Sequence, residues 1–312
     1  MNSPVKSSLL LTLCAMIWGF AFVAQRSGVE HIGPFLFAGS RALLGSATVY
    51  LVICLKERRL APLKTAPWSR GLWSDPTVGG GVVCGLVLFT AGTCQQVGLV
   101  FTTASKAGFL TALYIVLVPV LGLFLGQRVR WTTWLAVSLS AVGLYLLSAT
   151  GQFSIAPGDL VVIVGALFWA VHILAIDRYV HQADVLRLSC VQFLVAGVIS
   201  LALAPLADGF FVPTDGALAA AFWSALPAVL FVGVLSSGIA FTAQAFGQRG
   251  APPAAAAVIM SLEAVFATIG GFFILHERLT PREAFGCALM LAAVLLAQAP
   301  ARRRARPQPP PG

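Results

Sequence analysis

Charge is what this chain has least of. Of 312 residues, 20 are Lys or Arg and 11 are Asp or Glu, so 10% are charged while 58% are hydrophobic; a soluble globular domain carries about 25% charged residues. Cysteine is sparse and scattered. Cys14, Cys54, Cys84, Cys94, Cys190 and Cys287 fall in or at the ends of apolar runs, with no CxxC pair and no Cys/His cluster, which argues against a disulfide framework and against a metal site. No HExxH, GxSxG or aspartate-rich cluster is present, so the sequence does not read as an enzyme. Gly79-Gly80-Gly81 has no strand before it and is no phosphate loop. Nothing therefore points to a nucleotide, and no cofactor is expected.

What the chain does have is long apolar runs. Spans of about 20 residues cross a bilayer, and ten candidates can be drawn: Ser8–Gln25, Pro34–Leu55, Val78–Val97, Thr103–Leu125, Trp131–Ala149, Gly158–Ile176, Arg187–Leu206, Phe222–Ala243, Pro252–Leu275 and Glu283–Ala299. The eighth is the least well bounded, because the apolar stretch from Ala217 to Phe246 is too long for one untilted span. The fold class expected is all-α integral membrane with ten transmembrane helices. Placing the N-terminus in the cytoplasm puts fifteen of the 20 basic residues inside and leaves Arg26, Lys106, Arg278 and Arg282 outside, with Arg41 within a span. That asymmetry sets both termini cytoplasmic. Most of the +9 net charge is thus topology, and no nucleic-acid partner is expected. The Arg- and Pro-rich tail of residues 301–312 should lie disordered against anionic headgroups, and the basic inner loop with Trp68 and Trp73 should touch the membrane surface.

The chain also repeats itself. Ala15-Met-Ile-Trp18-Gly-Phe-Ala aligns with Ala166-Leu-Phe-Trp169-Ala-Val-His, and at the same offset Arg41 falls on Gln192. Gln95-Gln96 lies close to Gln244, and Gly126-Gln127-Arg128-Val129 falls on His276-Glu277-Arg278-Leu279. Residues 1–151 and 152–300 then form two repeats of five spans each. Five is odd, so the second copy enters the membrane inverted, a transporter plan with substrate bound near the midplane.

The Trp18-Gly19 and Trp169-Ala170 pairs, Ala107-Gly-Phe-Leu-Thr-Ala-Leu-Tyr114 before Pro119, and Ser261-Leu-Glu-Ala-Val-Phe-Ala267 before His276-Glu277-Arg278-Leu279-Thr280 resemble EamA-type members of the drug/metabolite transporter superfamily. The resemblance runs from about Ser7 to Gln298. It implies two inverted five-helix repeats that move small organic metabolites, such as amino acids or amines, commonly outward across a bacterial plasma membrane. Gln127 stands where the family often has Glu, and Ala264 where Pro is frequent.

The candidate binding residues are polar or aromatic groups inside spans. Glu263 lies near the middle of the ninth, where a charge costs about 2.5–3.5 kcal/mol on insertion scales. It is expected to bind a cationic group or a proton, its state depending on what shares the cavity. Lys106, near the outer end of the fourth span, could snorkel or receive a substrate carboxylate. A zwitterion could bridge it to Glu263, which the repeat sets opposite Leu113. Arg41 is too deep to snorkel. Trp18, Trp169 and Tyr114 could wall an amphipathic cavity, and Gln95, Gln192, Gln244 and His172 could line it or bond between helices. The Gly81-x-x-x-Gly85 and Gly122-x-x-x-Gly126 patterns allow close helix approach. The reading favours a secondary transporter working by alternating access, with a small-molecule substrate, membrane lipids and candidate coupling protons as partners. A lipid carrier of the same architecture is the alternative, and a membrane-embedded enzyme a remoter one. Substrate identity, direction, ion coupling and oligomeric state are not written in the sequence.

Overall fold

The computed structural model describes residues 4–60, 76–102, 104–148, 157–210, 218–274 and 280–298. All regular structure among them is helical. The basic inner loop beyond residue 60, the outer junction at 275–279 and the tail at 301–312 lie outside the described residues.

Proline opens six of the helices: α1 (Pro4–His31), α2 (Pro34–Leu60), α3 (Pro76–Phe101), α7 (Pro157–Val180), α11 (Pro253–Met260) and α13 (Pro281–Ala297). Its missing N–H costs nothing in the first turn and its fixed φ suits a helix start. The remaining helices are α4 (Ala104–Thr111), α5 (Tyr114–Phe124), α6 (Trp131–Ser148), α8 (Val185–Ala207), α9 (Leu218–Leu230), α10 (Phe241–Gln248) and α12 (Glu263–Ile274). Capping also crosses elements: the Asp208 carboxylate, just past α8, accepts from the Phe35 and Leu36 N–H groups at the start of α2, at 2.9 and 2.7 Å. Two acceptor oxygens there satisfy two of the donors that a helix start leaves unpaired.

Seven helical stretches among the described residues are long and apolar enough to cross a membrane, with two shorter apolar ones, Trp131–Leu147 and Pro253–Ile269, beside them. Large apolar side chains such as Phe124, Leu206 and Leu295 point outward, while Gln95, Gln96, Gln192, Gln244, His172 and Glu263 are buried. Polar groups inside and hydrocarbon outside is the arrangement lipid imposes.

Three spans depart from simple rods. The eighth runs as one stretch from Leu218 to Gln248, longer at both ends than the predicted Phe222–Ala243, and its middle, Phe231–Ala240, is a π-helix. The fourth breaks between Thr111 and Tyr114, and the ninth between Met260 and Glu263. At both breaks the backbone tightens to i→i−3 bonds, Leu113 N–H to Leu110 O at 3.3 Å and Leu262 N–H to Ile259 O at 3.2 Å. The second halves start on Tyr114 and Glu263, residues 149 apart. The repeat offset here is therefore 149, and the counterpart of Glu263 is Tyr114, one residue on from the Leu113 expected from sequence.

The two halves interleave. α2 packs on α8 and α6 on α13, while α3 packs on α7 and α8; exchanging the halves maps this onto α1 against α9–α10 and α2 against the π-helix, contacts that also occur. Gly81 and Gly85 lie against Val191 and the Gln192 carbonyl of α8, as their spacing suggests. The Gly122/Gly126 pattern works otherwise: Gly126, two residues past α5, has φ +75, and the nearest atoms to a Cβ at Gly122 belong to Gln127.

Candidate functional site

Where the two broken spans meet α1, α3, α7 and α10, they line a partly open cavity with about 480 Å³ of space between its atoms, the opening included. Its wall is built in pairs from the two halves. Trp18 of α1 answers Trp169 of α7, Phe22 answers Ile173, Gln95 of α3 answers Gln244 of α10, and Tyr114 answers Glu263. Each pair is separated by 149 or 151 residues, so corresponding positions of the two halves line the same cavity. Tyr114 Oη donates to Glu263 Oε1 at 3.1 Å, joining the first residues of α5 and α12. Glu263 is 4% exposed, and a helix N-terminus favours a carboxylate there.

The cavity is amphipathic. Phe241 lies at its aromatic centre, with ring centroids 4.7 Å from Trp18, 5.7 Å from Trp169 and 5.6 Å from Phe193. Among the polar groups, Trp18 Nε1, Trp169 Nε1, Thr111 Oγ1 and Gln244 Oε1 are buried with no hydrogen-bond partner among the described residues. Such groups cost about 1–3 kcal/mol each when left unmet in a dry interior. They converge here instead, where a solute or water could meet them. Gln25 also lines the wall and accepts from Gln96 Nε2 at 2.7 Å.

The structure thus brings seven of the sequence-predicted candidates to one cavity: Glu263, Arg41, Trp18, Trp169, Tyr114, Gln95 and Gln244. The other three sit elsewhere. His172 and Gln192 bond each other behind the wall, Nε2 to Oε1 at 3.0 Å. Lys106 is held by a carboxylate that sequence reasoning passed over: its Nζ lies 2.5 Å from Asp159 Oδ2, and Thr102 Oγ1 donates to Asp159 Oδ1 at 2.7 Å. Asp159, in the first turn of α7 and at the very start of the sixth predicted span, is 2% exposed. With its ammonium on Asp159, Lys106 joins α4 to α7. Phe241 and Ser236 were also missed, since each looks like one more small or apolar residue of a helix; the π-helix turns Ser236 to the cavity and precedes Phe241 directly.

The Lys106–Asp159 pair makes a prediction. Lys106→Met should lower the thermal unfolding temperature in detergent, by less than the about 3–5 kcal/mol that breaking a fully buried pair costs, because the Lys106 side chain is 37% exposed. Adding Asp159→Asn should restore most of the loss. A Lys106→Met protein as stable as wild type would show that the pair holds nothing.

Comparison with known proteins gives a consistent picture. The sequence model of the EamA-like transporter family matches twice, over residues 5–149 and 156–298. An uncharacterized transporter of Archaeoglobus fulgidus is 30% identical over 93% of this chain and 85% of its own length. The uncharacterized transporter YoaV of Bacillus subtilis is 23% identical over 94% of this chain and 96% of its own. The uncharacterized inner membrane transporter YedA of Escherichia coli is 24% identical over 90% of this chain and 87% of its own. A solved crystal structure superposes with a TM-score of 0.72 at 20% identity, covering 95% of this chain and 97% of that one, which speaks to the fold alone.

Proposed function

The chain belongs to the EamA-like transporter family, a multi-pass membrane transporter of the plasma membrane, and from that premise we propose that it is a secondary transporter carrying a small organic metabolite by alternating access. The observation that carries this reading is the cavity built symmetrically from both halves with Glu263 on its wall. A site lined by both repeats can be exposed to one face or the other by rocking one half against its mate. In this reading the ten spans form two inverted five-helix repeats, 1–151 and 152–300, with both termini cytoplasmic. Glu263 binds a proton in exchange for substrate, and export is the favoured direction.

The closures above and below the cavity fit such a cycle. Toward the predicted outer face, the Arg26 guanidinium donates to the Leu99 and Thr102 carbonyls, and Lys106, Thr102 and Asp159 join α4 to α7. Toward the other face, Arg249 donates to the Val180 and Ala183 carbonyls at 2.6 and 2.7 Å. Only the Lys106 and Thr102 contacts to Asp159 join one half to the other, and these can be exchanged for water when the outer end parts; the Arg26 and Arg249 bonds each lie within one half and brace it as it moves.

The test is counterflow. Proteoliposomes preloaded with one solute at millimolar concentration are diluted into traces of the same labelled solute, across amino acids, amines and organic acids. Accumulation of at least one label above protein-free liposomes is expected. No accumulation across the panel, from protein shown to be folded, would contradict the transporter reading.

A further inference from the structure

Arg41, about two turns into α2, is 7% exposed, yet none of the ion pairs found among the described residues involves it. Its Nε has no hydrogen-bond partner among them either. A guanidinium with five donors and a full charge, left unmatched in the core of a membrane protein, is costly. It stands on the wall between two cavities. One is the 480 Å³ cavity holding Glu263, and the other, of about 310 Å³, lies between α2, α3 and α8; Arg41 and Phe241 line both.

The space around Arg41 has a cause in the sequence. At the offset of 149 that pairs Tyr114 with Glu263, the counterpart of Phe241 is Gly92. The second half fills its position with a ring; the first leaves it empty of side chain. A Cβ on Gly92 would have one neighbour within 4 Å, the Arg41 Nη2 at 3.4 Å. The repeat mate of Arg41, Gln192, is neutral, and its Oε1 pairs with His172 Nε2 while its Nε2, like the Arg41 Nε, has no partner among the described residues. The exchange of Phe241 for Gly92 breaks the symmetry beside Arg41 and leaves this cation with open volume next to it.

We infer that Arg41 is a binding site for the carboxylate of a singly charged organic anion whose apolar body rests against the Trp18, Phe241 and Trp169 rings. A guanidinium fork matches a carboxylate in two parallel hydrogen bonds, and the rings beside it offer flat apolar surface. Lys106, the other basic candidate, is already matched by Asp159, so the anion's place is at Arg41. This deepens the transporter reading and rests on it, naming the substrate class of the same cavity.

The test uses the purified full-length protein in detergent and three probes sharing one apolar body: 3-phenylpropionate, 3-phenylpropanamide and 3-phenylpropylamine. Binding is read from tryptophan fluorescence and thermal stability, so no transport is required. The carboxylate should bind at least about tenfold more tightly than the other two, and Arg41→Met should weaken it by about 10–100-fold, the range for hydrogen bonds to charged groups. Arg41→Lys should recover part of the loss. Without ligand, Arg41→Met should be at least as stable as wild type, because it removes an unmatched buried charge; a structural arginine would behave oppositely. The inference is overturned if Arg41→Met binds the carboxylate as tightly as wild type, if the ligand-free variant is destabilised, or if wild type prefers the amide or amine or binds none of the three at 10 mM, roughly 2.7 kcal/mol of affinity. Failure of the transporter reading looks different: carboxylate binding at Arg41 would persist while counterflow stayed absent for every solute.

Discussion

Glu263→Gln is expected to abolish substrate-driven proton movement while leaving the fold intact. Glutamine keeps the size of the side chain and an oxygen that can accept from Tyr114 Oη, the one hydrogen bond the carboxylate makes among the described residues. What it loses is the proton. In proteoliposomes reporting internal pH, the substrate-dependent signal should fall by about a hundredfold or more, roughly 2.7 kcal/mol in the coupled step. Labelled solute exchange, which needs no net proton transfer, should survive. A Glu263→Gln protein that still moves protons with substrate would remove Glu263 from the coupling role.

Gly19→Val is expected to cost both stability and transport. Gly19 is where α1 crosses α12: a Cβ there would lie 2.6 Å from the Glu263 carbonyl oxygen and 2.8 Å from the Ala267 nitrogen. Both neighbours are backbone and cannot turn aside as a flexible side chain could. Relief requires α1 and α12 to separate, carrying Trp18 and Glu263 out of register across the cavity. Overpacking of this kind costs about 1–3 kcal/mol and sometimes more, so the unfolding temperature in detergent should drop and counterflow should disappear. The repeat mate supplies the control. Ala170 is fully buried and already carries a Cβ, so Ala170→Gly should cost only about 1 kcal/mol, the difference in helix propensity. Equal effects at the two positions would contradict the packing account.

How much of this could be read in advance follows from what lipid permits. A polar or charged residue in the middle of an apolar span must face protein or water, so Glu263, Arg41, Gln95 and Gln244 stood out in the sequence and do line one cavity. Trp18 and Trp169 stood out because the repeat doubled them. Phe241 did not, since one phenylalanine among many in an apolar run carries no mark, and its place depends on the π-helix before it. That π-helix has no sequence signature beyond an overlong span. Asp159 was hidden for the opposite reason: an acid at the edge of a span looks solvated until α4 and Lys106 close over it. The offset of 149 at the broken spans was one residue from the sequence alignment, and that residue decides that Glu263 meets Tyr114. Small differences of register are invisible in apolar helices and become visible only when two side chains touch.

The most direct test of alternating access places a reporter inside the cavity. Ser236 lines it, and all six native cysteines are free thiols, so Ser236→Cys is made with the six replaced and counterflow retained as the control. Oriented membrane vesicles are then treated with a membrane-impermeant maleimide from either face, with and without a transported solute. The account predicts labelling of the single thiol from both faces, slowed by the solute in each case. Labelling from one face alone, with or without the solute, would contradict it.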